Sequence, residues 1–218
     1  MAVLFTQLFS QLKYDVGDQI SIDRQNMEFD YCYPSDSTGI FSLSQHAGKV
    51  FVLEMSASWW GPCLNAIPEG EELYEHWSND DRVEIIHILD DLNQPYSCNA
   101  WGEVGSIGIP PIVDDGTINT IFNWFNNPNG SLIYPLTIFL DHTMEIVNIM
   151  GSSPSFNVSN IIIEAMLDAI PVDIEGCIDE LACNYNSAAT MDDGSCKYIV
   201  DVCGICGGSE ADENNCLG

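Results

Sequence analysis

Positive charge is almost missing from this chain. Five Lys and Arg stand against 33 Asp and Glu, for a formal net charge of −28. A surface of that sign repels phosphate backbones and anionic lipid, so nucleic-acid binding and membrane-surface binding are both disfavoured. Salt would screen the self-repulsion, and the composition suits a saline, extracytoplasmic setting. Long apolar runs are missing as well, and no stretch approaches the length of a membrane span. A clear signal peptide is also lacking. Met1-Ala2-Val3-Leu4-Phe5-Thr6-Gln7-Leu8-Phe9 is apolar, but it has neither a basic n-region nor a small-residue cleavage site. It reads as an ordinary first strand or helix, or as a chain without its true N-terminus.

Further absences narrow the chemistry. His46, His76, His87 and His142 show no metal-ligand spacing, and Gly102, Gly105 and Gly108 do not form a phosphate loop. Cys203-x-x-Cys206 is a single pair, whereas a closed zinc site wants four ligands. The EF-hand spacing is absent around Asp192-Asp193-Gly194, although Asn184 and Asn186 add oxygen ligands. A solvated acidic turn is the simpler reading there, with Ca2+ on this segment the alternative. No cofactor and no other metal is expected.

What is present begins with nine cysteines, six of them after residue 176. A short segment too poor in apolar residues for its own core holds together through disulfides, which need an oxidising compartment. Cys177, Cys183, Cys196, Cys203, Cys206 and Cys216 are therefore structural disulfide candidates. Pro171 marks the change of composition, dividing the chain into a domain at 1–171 and a Cys/Asp-rich module at 172–218.

In the first domain the pattern predicts short strands around Ile20–Ile22, Met27–Cys32 and Gly39–Leu43, with a turn at Pro34-Ser35-Asp36-Ser37. Val50 to Met55 is an apolar run, broken by small residues before Gly61-Pro62 opens a helix reaching His76, with Pro68 inside it. Arg82 to Leu89 reads as a strand covered on both faces, and Ile109 to Val113 as a shorter one. Ser97 to Val104 and Thr117 to Phe125 read as helices. Leu136 to Leu140 and Met144 to Met150 form a hairpin about Asp141-His142-Thr143. A last helix, capped by Asn160, turns Ile162, Ile163, Met166, Leu167 and Ile170 inward. The fold class is α/β, a mixed central sheet flanked by helices, followed by a small irregular disulfide-rich module.

The stretch Glu54-Met55-Ser56-Ala57-Ser58-Trp59-Trp60-Gly61-Pro62-Cys63, with Pro68 five residues on, resembles the active-site strand, turn and helix of the thioredoxin superfamily. The lead-in from Ile40 to Val50 is similar to that of redoxin and TlpA-like proteins. The resemblance implies a thioredoxin fold and thiol–disulfide exchange with protein or peptide thiols and disulfides. Cys63 then matches the resolving cysteine, Glu54 the buried acid and Pro135 the cis-proline, while Trp59, Gly61, Pro62 and Tyr134 border the substrate groove. Trp60 stands where the family carries its nucleophilic cysteine, and an indole cannot attack a disulfide. It also occupies the place where peroxiredoxin chemistry wants Thr or Ser. Residues 176–208 are similar to a Gly-Cys-x-Asp to Asp-Asp-Gly-Ser-Cys module found in surface proteins of marine and Bacteroidetes-type bacteria.

Cys32 and Cys98 allow a Cys32–Cys98 disulfide that leaves Cys63 free, or a Cys63–Cys98 pair. Three functional readings follow. The chain is an extracytoplasmic thiol–disulfide oxidoreductase-family protein impaired at Trp60, or a non-catalytic peptide-binding module on the same fold. In the third, Trp60 is a misread Cys or selenocysteine codon in an active enzyme, which the nucleotide triplet at position 60 decides.

Overall fold

The computed structural model describes residues 13–34, 39–130 and 133–209. The apolar N-terminal segment, most of the Pro34–Ser37 turn and Cys216 lie outside the described residues. The chain divides into two compact units, Met1–Ile170 and Pro171–Gly218.

The first unit is built on a seven-stranded mixed sheet. Its strands are β1 (Phe29–Tyr33), β2 (Ile40–Phe41), β3 (Val50–Ala57), β4 (Val83–Asp90), β5 (Ile112–Asp114), β6 (Leu136–Leu140) and β7 (Ile146–Met150), in the spatial order β2-β1-β5-β4-β3-β6-β7. β3, β4 and β5 run parallel, and β6 and β7 form the antiparallel hairpin. This is the thioredoxin fold.

Alternation along the central strand sorts side chains between two cores. Phe51, Leu53, Met55 and Ala57 point into the larger core. Val50 and Val52 point the other way, toward α2 (Gly61–Trp77) and α4 (Phe156–Asp168), where Leu73, Phe139, Ile163, Met166 and Leu167 meet them. Glu54 and Ser56 share the parity of Val50 and Val52, so they emerge beneath α2. Register adds two polar neighbours, because Glu54 pairs with His87 on β4 and with Thr137 on β6. One polar row thus crosses an otherwise apolar face.

Three expectations are corrected. Ile20–Ile22 is no strand: Ile20 is buried and Ile22 opens a short helix, α1 (Ile22–Gln25). Thr117–Phe125 is no α-helix either; only Phe122–Trp124 forms a 3-10 turn. Here the Asp115 carboxylate takes the N–H groups of Ile121 (2.7 Å) and Phe122 (3.0 Å), and Asn119 adopts a positive φ of 52°. Both features stop an α-helical ladder from starting. Asn160 does not cap the last helix. Ser155 precedes its first residue, and Glu69 of α2 accepts the Phe156 N–H at 2.8 Å. Asn160 instead accepts from the Trp77 indole (3.1 Å) within the helix.

α3 (Cys98–Gly102) is shorter than expected and is capped by Ser97, whose Oγ accepts from the Ala100 N–H at 3.2 Å. The loop after it is held by Glu71 of α2. This buried carboxylate accepts from the N–H groups of Ser106 (3.1 Å), Ile107 (3.3 Å) and Gly108 (3.1 Å). The glycine-bearing loop is an anion cradle, and its anion is a side chain of the same chain.

The second unit contains the two-residue parallel strands β8 (Glu175–Gly176) and β9 (Met191–Asp192). Cys177–Cys196 and Cys183–Cys206 are disulfides, and Cys203 is disulfide-bonded as well. Asn184 ties two segments together: its Nδ2 donates to the Ser195 carbonyl (2.9 Å) and its Oδ1 accepts from Lys197 N–H (2.7 Å). Asn186, Asp192 and Asp193 accept from the N–H groups of Ala188, Gly194 and Ser195, closing local turns. Among the described residues, no three His, Cys, Asp or Glu side chains gather as a metal site.

Candidate active site

Trp60 is the N-cap residue of α2, and its carbonyl accepts from the N–H groups of Cys63 (3.0 Å) and Leu64 (3.3 Å). Pro62 fits the first turn, where its missing N–H removes no helical bond. Cys63 therefore occupies a helix N-terminus, a setting that favours a thiolate. Burial outweighs it. Cys63 is 1% exposed, and desolvation pushes its thiol up from the ordinary value. Hydrogen bonds to the Ala57 backbone and the Ser56 hydroxyl oppose that shift, while Asp90, when ionised, adds to it. The result is a protonated thiol at neutral pH.

Trp60 reaches across from the start of α2 to the segment before β6. Its indole N–H donates to the carbonyl of Tyr134 at 2.9 Å, bridging the helix start and the segment before Pro135. The Tyr134–Pro135 peptide is cis. Trp59 packs edge-on against Trp60, with ring centroids 5.3 Å apart, and its own N–H donates to Asp91 at 2.7 Å. Both indoles keep a large exposed area, at 46% and 39%. Beside them an open groove runs along Pro62, Ala66, Glu69, Pro135 and Ser153.

Behind Cys63 lies a cavity of about 20 Å³, lined by Glu54, Ser56, Cys63, His87, Pro135 and Thr137 among others. Glu54 reaches it because residue 70 of α2 has no side chain. A Cβ there would fall 2.7 Å from Glu54 Oε2. Of the residues singled out in the sequence, Cys63, Glu54 and Pro135 thus share one chamber, and Trp60 and Tyr134, the residues that precede the start of α2 and Pro135, are bonded to each other. Cys32 and Cys98 are joined to each other, which leaves Cys63 the one free thiol among the described residues.

Sequence reasoning missed two parts of this site. His87, read there as ordinary, lies on the chamber wall. The other is a buried acidic cluster under the Trp60 loop. Asp90, at the end of β4, is fully buried and accepts from the Tyr134 hydroxyl, which also accepts from Asn119 at 2.9 Å. Burial first, then the neighbouring Asp115, pushes the Asp90 carboxyl up to about 8. Asp115 is itself pushed up to about 6 by burial, against the pull of the Ile121 and Phe122 amides. Asp90 Oδ1 is buried without a hydrogen-bond partner, and charge and hydrogen bonding from Asp115 both raise the Asp90 carboxyl. Two carboxyls sharing one proton account for both facts. The sequence signal was acidic residues directly after two buried strands, Asp90-Asp91 and Asp114-Asp115.

Comparison with known proteins agrees with this architecture. A secreted thiol-disulfide isomerase from Corynebacterium glutamicum superposes with a TM-score of 0.57 at 14% identity, covering 77% of this chain and 98% of the other. A DsbF homologue from Corynebacterium diphtheriae gives 0.54 at 18% identity, covering 71% and 91%. A secreted Mycobacterium tuberculosis disulfide oxidoreductase gives 0.52 at 13%, covering 66% and 99%. At such identities the likeness speaks for the fold. No curated protein matches the sequence significantly. The profile of the AhpC/TSA family matches residues 25–149, more than half of the chain. With its thioredoxin fold and this match, the chain belongs to the AhpC/TSA family.

Proposed function

We propose that this is an extracytoplasmic protein of the thiol–disulfide oxidoreductase lineage whose exchange site is arrested at Trp60. The observation that carries the reading is the Trp60–Tyr134 hydrogen bond over a buried, protonated Cys63. Dithiol exchange needs an exposed thiolate to attack and a second thiol to release the mixed disulfide. This site supplies only the position of the second. The disulfides in both units support an oxidising compartment. Among the described residues no helix is long and apolar enough to cross a membrane. Insulin reduction tests the reading: turnover should stay at the reductant-only background and should not change in Cys63→Ala. Turnover well above background that is lost in Cys63→Ala overturns it.

A second reading is favoured by the two exposed indoles beside the open groove. On that reading the groove binds extended peptide without exchanging disulfides. Aromatic rings are frequent anchors of protein interfaces, which suits Trp59 and Trp60 to this role. Saturable peptide binding that shifts the Trp60 indole N–H resonance supports it. Binding that leaves this resonance unmoved removes it.

A further inference from the structure

The polar row behind Cys63 continues on one side into groups that thiol chemistry does not account for. Trp101, fully buried in α3, donates its indole N–H to His87 Nε2 at 3.1 Å. Indole nitrogen is a donor only, so Nε2 must be the accepting nitrogen of the imidazole. A neutral imidazole that accepts at Nε2 carries its proton on Nδ1. Nδ1 is the nitrogen turned toward Glu54, with Oε2 at 3.9 Å. His87 is 6% exposed, and its own backbone N–H is held by the Pro111 carbonyl at 3.0 Å, so the ring stands in a fixed place.

We propose that His87 is a positioning residue for Glu54. Trp101 selects the Nδ1–H tautomer, and the ring turns that N–H toward the carboxylate that lines the chamber with Cys63. The groups facing the imidazole are few. Glu54 approaches from β3, Trp101 from α3 and the Cys63 chamber from α2, while its register neighbour on β5, Ile112, is apolar. The opposite tautomer would set the Nε2 proton against the indole N–H and a lone pair against a carboxylate. Both contacts are repulsive, and inside a protein neither is relieved by water. Two further constraints hold the row. Gly70 leaves room for Glu54 against α2, and the Cys32–Cys98 disulfide fastens the first residue of α3, one turn before Trp101, to β1.

The consequence concerns the Cys63 environment, and to that extent the inference rests on the proposed reading of Glu54 and Cys63 as one site. With a donor facing it, the Glu54 charge is partly compensated. Without that donor, the uncompensated carboxylate would disfavour the thiolate further.

Two measurements on the full chain test this separately. Long-range 1H–15N spectra of His87 at pH 7 should show protonated Nδ1 and bare Nε2. The Nε2–H pattern in the native protein would overturn the proposal without any variant. In Trp101→Phe the tautomer should redistribute toward Nε2–H. The 13Cβ titration of Cys63 should move upward by about half a pH unit or more, a roughly threefold loss of thiolate at a given pH. A native-like Trp101→Phe that keeps the Nδ1–H pattern or an unmoved Cys63 titration contradicts it. Glu54→Gln separates the two layers. If it leaves the Cys63 titration unchanged, the shared-site reading fails, whatever the tautomer of His87.

Discussion

Gly105 lies so close to Glu71 that a Cβ on residue 105 would stand 1.7 Å from Oε1 and 2.3 Å from Cδ. The carboxylate is buried and already accepts from the N–H groups of Ser106, Ile107 and Gly108, so it has nowhere to retreat. Gly105→Ala should therefore cost about 2 kcal/mol or more, by breaking these charge-assisted bonds or displacing the loop. Glu71→Ala should cost a similar amount, since three loop donors lose their acceptor. Urea unfolding at neutral pH checks both. If the two variants are additive in combination, the losses do not come from one shared contact.

The buried pair at Asp90 and Asp115 predicts a pH dependence of stability. Both carboxyls are raised above the ordinary value of 3.8, to about 8 and about 6. A group raised on folding binds its proton more tightly in the native state, so its stabilisation is complete below about pH 4 and is lost as pH climbs through 6 and 8. Stability should accordingly fall between pH 5 and pH 9, by at least about 1 kcal/mol. Asp90→Asn keeps an acceptor for Tyr134 and supplies a permanent donor toward Asp115. It should flatten the profile, gaining on the parent protein most at pH 9. A parallel decline in parent and variant would remove the shared proton from the account.

Thiol accessibility gives a third prediction. Cys63 is buried and protonated, and the other described cysteines are disulfide-bonded. Alkylation under native, non-reducing conditions followed by peptide mapping should leave the Cys63 peptide unlabelled. In denaturant the same peptide should label fully, and those of Cys32, Cys98, Cys177, Cys183, Cys196 and Cys206 should not. Rapid native labelling of Cys63 would show that Trp60 does not close the site.

Much of the fold was legible because the central elements carry their signals locally. The runs at Val50–Met55 and Leu136–Leu140 are apolar except at Glu54 and Thr137 because both faces of those strands are covered, and Gly61-Pro62 marks the start of α2 directly. The errors arose where a distant side chain decided. Asp115 captures the amides that would have begun a helix near Thr117, and Glu69 fixes the start of α4 at Phe156, six residues before the apolar pattern begins at Ile162. The same holds at the site. Glu54 and Cys63 were singled out from one motif and its flank, and Pro135 from its place at the start of the Leu136–Leu140 strand. His87 was not, because its partners Trp101 and Glu54 are brought to it by strand register and by a helix 14 residues away. Its neighbours in sequence are apolar strand residues that give no hint of a polar row.

One substitution addresses the proposed arrest at Trp60 directly. Trp60→Cys removes the indole bond to the Tyr134 carbonyl and restores a Cys-Gly-Pro-Cys sequence at the start of α2. Measured side by side in insulin reduction, the parent protein should remain at the reductant-only rate, and Trp60→Cys should exceed it by roughly tenfold or more, consistent with an activated thiolate at a helix N-terminus. A parent protein that already reduces insulin, with Trp60→Cys no faster, would contradict the account.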